Sequence, residues 1–430
     1  MGRAGFGKVS ITPPLGVELC GYGMYLERRA TEVHDDLFVR ALLLEDDDGE
    51  RALLITLDLI GLAQETSETI ALQTGEAVGL SPECVLISST HTHSGPATGV
   101  INGMGVMDPA YVETLPGRCV AAATAAAELR PARFGTGHGA VRALGYNRVR
   151  ADGPFDPGLH VLRVDTEQGE PWVVLFTHGC HPVSIDRRTP AGTAISADWP
   201  GQVISRLAEE GYGEAIFRLG PCGDIDPVVA WHNLGFEGMI LSAEAVTQTL
   251  MSLLSATSTG PELRLRVRQQ NVSLPLQPLT EQDIADTVAA RTRYGTVKVT
   301  EDGDEDPALA RFSSYWAESM RAKLSTQPDQ LDVPLAVLVL NDEAWVQLPS
   351  EIFTGLSDRI KSGSPFARTI VSTLAAHFVG YIPDREDFAA GGYASALVPR
   401  ALLLPPYTPS VGDALVDGAL RLLHEIGDRA

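Results

Sequence analysis

The feature that most constrains the fold is Arg51-Ala-Leu-Leu-Ile-Thr-Leu-Asp-Leu59, a stretch that is apolar almost throughout. A strand wetted on one face alternates polar with apolar residues, whereas a near-continuous apolar run is buried on both faces, as in the middle of a covered sheet. Cys84-Val-Leu-Ile-Ser-Ser-Thr90 repeats the pattern, and a helical stretch at about 63–78 separates the two. Strands are expected at 3–11, 36–46, 158–166, 171–178, 215–219, 262–276, 333–341, 344–348 and 368–374 as well. Helices are expected at about 109–128, from Pro200 to 210, 234–254, 280–292, 308–324 and 411–427, with another after Glu351. The acidic run Glu301–Asp306 reads as a loop. Elements alternating in this way predict a mixed α/β architecture of β-sheets packed with helices. The Ser/Thr/Gly/Pro stretch Ser255–Pro261 is the one sub-boundary expected within a single domain over 1–430.

Composition narrows the function. Of 430 residues, 44% are hydrophobic, enough to build a core and to exclude disorder as the dominant state. Lys plus Arg number 33 against 55 Asp plus Glu, a net charge of -22. That surface repels nucleic-acid backbones and anionic headgroups, so a small-molecule substrate is expected, with no nucleic acid and no stable membrane association. Apolar runs such as Leu335–Leu340 are core-sized, and none is expected to cross a bilayer. The start, Met1 to Gly7, lacks the apolar stretch of a secretory signal. Five cysteines without paired spacing read as free thiols in a reducing, cytoplasmic setting. A homo-oligomer is left open.

The chemistry concentrates where strands end. Ser88-Ser-Thr-His91-Thr-His93-Ser-Gly-Pro96 carries two histidines at i and i+2 between a core strand and a turn. In an extended chain these imidazoles share one face and can enter one cavity. Trp172-Val-Val-Leu-Phe-Thr-His178-Gly-Cys180-His181 is a second apolar strand ending in imidazoles. Two such ends raise the odds of a shared metal, with His181 as the ligand candidate, His178 as a structural histidine and Cys180 as packing. Asp224 and Asp226 lie in the turn Gly220–Pro227, where an Asp often only binds its own backbone. Glu351, after Gln347-Leu-Pro-Ser, reads as an acid in the first turn of a helix. Tyr381 and Tyr393 stand beside glycines and would not be singled out by spacing. Spacing alone therefore supports a metallohydrolase with two histidines and an undecided acid.

In order, these pieces resemble the neutral/alkaline (non-lysosomal) ceramidase family. The likeness rests on Gly5 to Pro13 (Gly-x-Gly-x-x-x-Ile-Thr-Pro), Thr-His91-Thr-His93-Ser-Gly-Pro, Asn147-Arg148 and Phe-x-x-x-x-His181. Gly223-Asp-Ile-Asp-Pro227, Leu-Pro-Ser-Glu351, Gly-Tyr381-Ile and Gly-Tyr393 continue it to about residue 400. The resemblance implies a ceramidase-catalytic-domain fold with a site at strand C-terminal ends, one Zn2+ per chain, and hydrolysis of an amide bond. Carried over, His91, His181, Glu351 and Tyr381 would bind zinc. His93 would face the substrate as proton donor, and Arg148 and Tyr393 would lie near the scissile carbonyl. Such a set leaves a position for water, whose pKa zinc lowers to about 7.

Two departures bear on the substrate. Ceramide-cleaving members have serine where this chain has Asp226, a carboxylate suited to general-base or supporting work and to a more negative pocket. No immunoglobulin-like C-terminal domain is expected, so the chain resembles a short bacterial member carrying the catalytic domain only. The expected reaction is hydrolysis of an amide, or a related acyl or lactone bond, in a small, polar substrate, with ceramide itself disfavoured. A barrel amidohydrolase and a catalytically decayed metal-binding or ligand-binding module are the alternatives. A second metal near Asp58 and Asp198 is an open question.

Overall fold

The computed structural model describes residues 1–289 and 307–428, so the expected Glu301–Asp306 loop and the end of the 280–292 helix lie outside the described residues. Eight strands form the larger sheet: β1 (Arg3–Ser10), β2 (Phe38–Glu45), β3 (Arg51–Leu57), β4 (Val85–Ser89), β5 (Arg130–Ala140), β6 (Gly158–Thr166), β7 (Pro171–His178) and β8 (Glu214–Leu219). Their order is β8-β7-β6-β5-β1-β2-β3-β4. Four strands form a second sheet in chain order: β9 (Leu265–Pro275), β10 (Gln330–Leu340), β11 (Glu343–Gln347) and β12 (Arg368–Ser372).

The two sheets stack. Leu42, Leu54, Leu86, Val173 and Leu175 of the first form one buried cluster with Leu338, Leu340, Trp345 and Ile370 of the second. Helices cover the outer faces. On the larger sheet these are α1 (Gln64–Val78), α2 (Leu115–Ala126), α3 (Asp198–Glu209) and α4 (Phe236–Ala256); on the smaller, α5 (Thr354–Gly363) and α6 (Val411–Gly427). The result is helix, sheet, sheet, helix, so each near-continuous apolar strand is covered twice.

Both large sheets are mixed, and this decides where the site lies. Most neighbours are antiparallel, but β3 with β4, β7 with β8, and β11 with β12 are parallel. Parallel strands need a crossover, and α1, α3 and α5 supply the three. This is not the all-parallel ring of a barrel amidohydrolase, which removes that alternative. β4 and β8 are opposite edges of one sheet, yet Arg218 of β8 donates to the Leu86 carbonyl of β4 at 3.0 Å and to Gln347 of β11 at 2.6 Å. The chain after β12 completes the closure: Thr373 N donates to Leu219 O, Ser89 N to Leu374 O, and Ala376 N to Ile87 O. The larger sheet is thereby curled until its edges meet the second sheet, and the C-terminal ends of all three parallel pairs come together.

Three expectations need correction. β5, central to the larger sheet, was not anticipated because Gly135, Gly137 and Gly139 give it poor strand character. The glycines are there for space: a Cβ at Gly135 would lie 2.2 Å from Ser258 O, and one at Gly137 2.3 Å from Thr257 Oγ1. The Ser255–Pro261 stretch is thus laid along β5 rather than standing free. The expected 109–128 helix is two, Pro109–Val112 and α2, with Pro116 at the start of the second. Finally, α4 is long and apolar enough to span a bilayer by length and composition, against the expectation that no segment would be. It buries Ala243, Val246, Leu250 and Leu254 in the core beside β7 and α3, which accounts for its apolar face.

A polar junction joins the sheets at one side. His138 of β5 contacts His160 of β6 through their Nδ1 atoms at 2.9 Å, and Glu343 of β11 through Nε2 at 2.6 Å. Burial, then the neighbouring His138 and Lys361, push His160 down from 6.5 to about 3. Between those values the unfolded chain binds the proton that folded His160 refuses, so this group's contribution to stability falls as pH drops through that window. The urea midpoint of the wild-type protein is expected to decline from pH 6.5 toward pH 4. His160→Asn should flatten that slope, and an unchanged slope in the variant would exclude His160 as its source.

Candidate functional site

His91 follows β4 by two residues, at the end of one parallel pair. Its backbone has φ 69°, unusual for a residue with a side chain. The chain is held there by His91 N donating to Leu59 O at 2.8 Å, and the ring by Nδ1 against Ile60 O at 2.6 Å. His181 follows β7, the end of the second pair, with Nδ1 against Ile225 O at 2.9 Å. A carbonyl oxygen only accepts, so both Nδ1 atoms carry hydrogen and both Nε2 atoms face inward. Glu351 and Tyr381 come from the third pair, in the short parallel bridge Glu351–Ile352 with Tyr381–Ile382. Glu351 therefore precedes α5 by a strand residue and a turn, rather than sitting in its first turn. Asp224 takes the expected helix-end role instead, accepting from Thr354 N at 2.8 Å and Thr354 Oγ1 at 2.9 Å.

These side chains converge. Glu351 Oε2 lies 2.7 Å from His181 Nε2 and 3.3 Å from His91 Nε2, and Tyr381 Oη lies 3.2 Å from His181 Nε2. All are buried. Two inward nitrogen lone pairs and a carboxylate oxygen at these distances repel one another unless a positive charge lies among them, while the protonated Tyr381 hydroxyl can donate to Glu351. Burial alone would push the Glu351 carboxyl up; charge on the His91 and His181 rings reverses this and holds it well below its usual range. Protons on those rings, or a metal cation, are the two ways to supply that charge, and the donor set fits a divalent metal. Tyr381 is pushed up by burial and, against Arg148, by Glu351, so the phenol keeps its proton without a cation beside it.

His93 stands on the same wall. Its ligand-capable nitrogens lie within 4.8 Å of those of His91 and His181. Both ring nitrogens are buried without a hydrogen-bond partner, the only ring among the described residues in that state at both atoms. Burial, then the charge of His91 and His181, lower its pKa well below 6.5, so the ring is neutral at neutral pH. Gly21, with φ 102°, makes this possible: a Cβ there would lie 2.4 Å from His93 Cγ. Cys222 also approaches His181 and Glu351 but is fully buried behind them.

Arg148 is fixed by three acceptors: Asp226 Oδ1 at 3.0 Å, Gly223 O at 3.0 Å and Tyr381 Oη at 2.8 Å. Burial would lower its pKa, but Asp226 and Tyr381 outweigh this and keep it charged. Asp226 accepts from Trp231 Nε1 through its other oxygen at 3.0 Å. Its charge is therefore met by Arg148 rather than presented to a ligand. Tyr393 packs edge-on against Tyr381, ring centroids 5.8 Å apart. All eight expected site residues thus lie in one region, and His178 does not: its Nδ1 turns to Gly158 O. Asp58 and Asp198, considered for a second metal, are both engaged. Asp58 Oδ2 receives Arg40 and Phe38 N, and Asp198, pushed up to about 6 by burial, accepts the amides of Ser184, Ile185 and Trp199.

A cavity of about 850 Å³ opens from these groups to solvent, lined by His93, Arg148, Asp226, Tyr381 and Tyr393. Tyr22, Met24, Arg187 and Trp231 line it too and were not anticipated. The Gly21-Tyr22-Gly23 segment was the available signal, since glycines flanking an aromatic mark close backbone approach. Asp226→Ala is expected to strand Arg148 and Trp231 and to destabilise the fold by about 3 kcal/mol, as breaking a buried pair does. Double-mutant denaturation with Arg148→Met measures the coupling, and additive effects would show that the pair contributes nothing.

Residues 3–212 match the model of the neutral/alkaline non-lysosomal ceramidase N-terminal domain. Neutral ceramidase A of Dictyostelium discoideum is 26% identical over 258 residues, covering 52% of this chain and 36% of that protein. Neutral ceramidase of Mycobacterium tuberculosis is 27% identical over 187 residues, 37% of this chain and 29% of the relative. The matches therefore span about a third of those relatives' lengths. The crystal structure of neutral ceramidase from Pseudomonas aeruginosa superposes with a TM-score of 0.77 at 18% identity, covering all of this chain and 75% of that one, which is a likeness of fold. The chain is thus similar to the neutral/alkaline non-lysosomal ceramidases, to their N-terminal domain in sequence over residues 3–212 and to the Pseudomonas aeruginosa enzyme in fold along its whole length.

Proposed function

We propose that the protein is a zinc-dependent hydrolase of an amide or related acyl bond. The observation that carries this is the meeting of His91 Nε2, His181 Nε2, Glu351 Oε2 and Tyr381 Oη, in which a divalent cation relieves the repulsion of the two lone pairs and the carboxylate and the phenol oxygen completes the donor set. These four residues would hold one Zn2+ per chain. When bound, zinc supplies a Lewis acid for the carbonyl and an acidified water as nucleophile.

The rest of the chemistry belongs to the chain. Arg148, charged and fixed by three acceptors at the cavity wall, and Tyr393 stabilise the oxyanion that develops on the carbonyl. His93, neutral with both ring nitrogens unpartnered, delivers a proton to the leaving nitrogen. Asp226 orients Arg148 and is not free to act as a base. The intact donor set speaks against a decayed binding module. Five unpaired cysteines support a reducing, cytoplasmic setting, and the charge of -22 supports a small-molecule partner over nucleic acid. The four exposed apolar residues at the cavity mouth, Leu26, Tyr146, Val149 and Trp231, favour an amphipathic substrate over the small, polar one expected from sequence.

Metal analysis tests the centre. Purified protein should hold one equivalent of zinc, His91→Ala and Glu351→Ala should each lose most of it, and full occupancy in both would refute the assignment. Hydrolysis of N-acyl substrates should vanish with a strong chelator and return with added zinc; a chelator-resistant rate rejects zinc as the cofactor. Asp226→Ser should not by itself confer ceramide turnover, because losing the carboxylate also removes the acceptor that holds Arg148 and Trp231. Robust ceramide cleavage in that variant would show this reading of the position to be mistaken.

A further inference from the structure

The charges that line the cavity are not evenly compensated. Three arginines and three acids line it: Arg148, Arg150 and Arg187, against Asp226, Glu386 and Asp387. Arg148 is bound to Asp226. Arg150 reaches Asp384 at 2.6 Å and Glu386 at 2.7 Å. Asp387 is buried and accepts from Ser395 N at 3.0 Å. Arg187 is exposed and has neither ion pair nor side-chain hydrogen bond among the described residues. The neighbouring carboxylate, Asp186, is already taken by Arg188 and by Asn233 N. In a chain with 55 acids against 33 cations, a free arginine facing the cavity is notable.

The same wall carries a second cation without an acid. Arg28 is buried and donates only to carbonyls, Gly192 O at 3.1 Å, His93 O at 2.9 Å and Cys20 O at 3.5 Å, with its guanidinium 4.7 Å from the Tyr22 ring centre. Arg187 is near enough for its charge to bear on Arg28. Tyr22 in turn stacks edge-on with His93 and Trp231, at 5.1 and 5.8 Å. Two guanidiniums beside His93 and Tyr22 thus have no carboxylate partner among the described residues, and the mouth beside them is apolar: Leu26, Tyr146, Val149 and Trp231 are each 41–43% exposed. An apolar rim next to an uncompensated guanidinium suits a ligand with both a chain and an anionic head.

We infer that Arg187 binds an oxyanion (a carboxylate, phosphate or sulfate) at the polar end of an amphipathic amide. The identity of the bond that is cut rests on the amide-hydrolase reading; the anion site rests on the cavity alone. Binding and turnover separate the two. Calorimetry with octyl sulfate, octyl phosphate and octyl glucoside, below their micelle-forming concentrations, holds the chain constant and varies the head. Both anions should bind more tightly than the glucoside. Arg187→Gln should weaken the anions about tenfold, the scale of one charge-assisted hydrogen bond in a partly solvated site, and Arg187→Lys should recover part of the loss. Arg206→Gln, on the outer surface of α3, makes the same charge change and should have no effect.

Equal anion affinity in wild type and Arg187→Gln overturns the proposal, as does an equal loss in Arg206→Gln. In turnover, the ratio of kcat/KM for N-lauroylglycine over N-lauroylethanolamine should fall about tenfold in Arg187→Gln, and N-lauroyltaurine in the same comparison distinguishes carboxylate from sulfonate recognition. Cleavage of both substrates with an unchanged ratio overturns the anion site and leaves the hydrolase reading intact. Arg187-dependent binding without cleavage of any amide upholds the anion site and removes the hydrolase reading.

Discussion

Two imidazole nitrogens, one carboxylate oxygen and one phenol oxygen are directed into a space with no room for them to avoid one another. Each is locked from behind. Carbonyls at Ile60 and Ile225 pin the two rings, a parallel bridge pins Glu351 beside Tyr381, and Arg148 pins the phenol. Had the rings been free to turn, the site could relax by rotating lone pairs away. Because they are not, the folded chain holds an arrangement that is favourable only around positive charge. This is how a protein makes affinity for a cation out of folding energy, and it makes the centre a product of the whole architecture.

The architecture does so by bringing strand ends together. Within one flat sheet β4 and β8 would stand at opposite edges, and His91 and His181 would be far apart. The curl of the larger sheet, tied by Arg218 to β4 and β11, removes that separation. Arg218 is fully buried with no carboxylate partner, and burial lowers its pKa to about 9. Such a cation is costly to bury, and its two acceptors sit on different strands, β4 and β11. Its position at the closure, near the strand ends that carry His91 and His181, links the cost of the fold to the placement of the site.

Much of this was legible in the sequence, and the omissions have physical causes. Buried strands at 51–59 and 84–90, and histidines at strand ends, follow from periodicity, because a two-residue repeat and a run of apolar side chains are local properties. Tyr381 and Glu351 carried no local signal. Their roles come from a short parallel bridge between segments thirty residues apart, and only motif order against a known family suggested them. β5 escaped because the glycines that admit residues 257–260 also erase strand propensity. Asp226 was read as extra negative charge, since its counter-ion, Arg148, lies seventy-eight positions away.

Asp226 does more than add a negative charge to the site. A serine could donate or accept one hydrogen bond, whereas the carboxylate accepts from Arg148 with one oxygen and from Trp231 with the other. It thus couples Arg148, on the cavity wall, to an aromatic at the cavity mouth. Trp231 has φ 68°, and its carbonyl is held by Arg188, whose guanidinium consumes Asp186. The loop that would otherwise supply an acid to Arg187 has therefore spent it on shaping the mouth. Uncompensated charge at Arg187 and the Asp226–Trp231 link are two consequences of one local arrangement. Asp226, though buried beside His181, shapes what the entrance can admit.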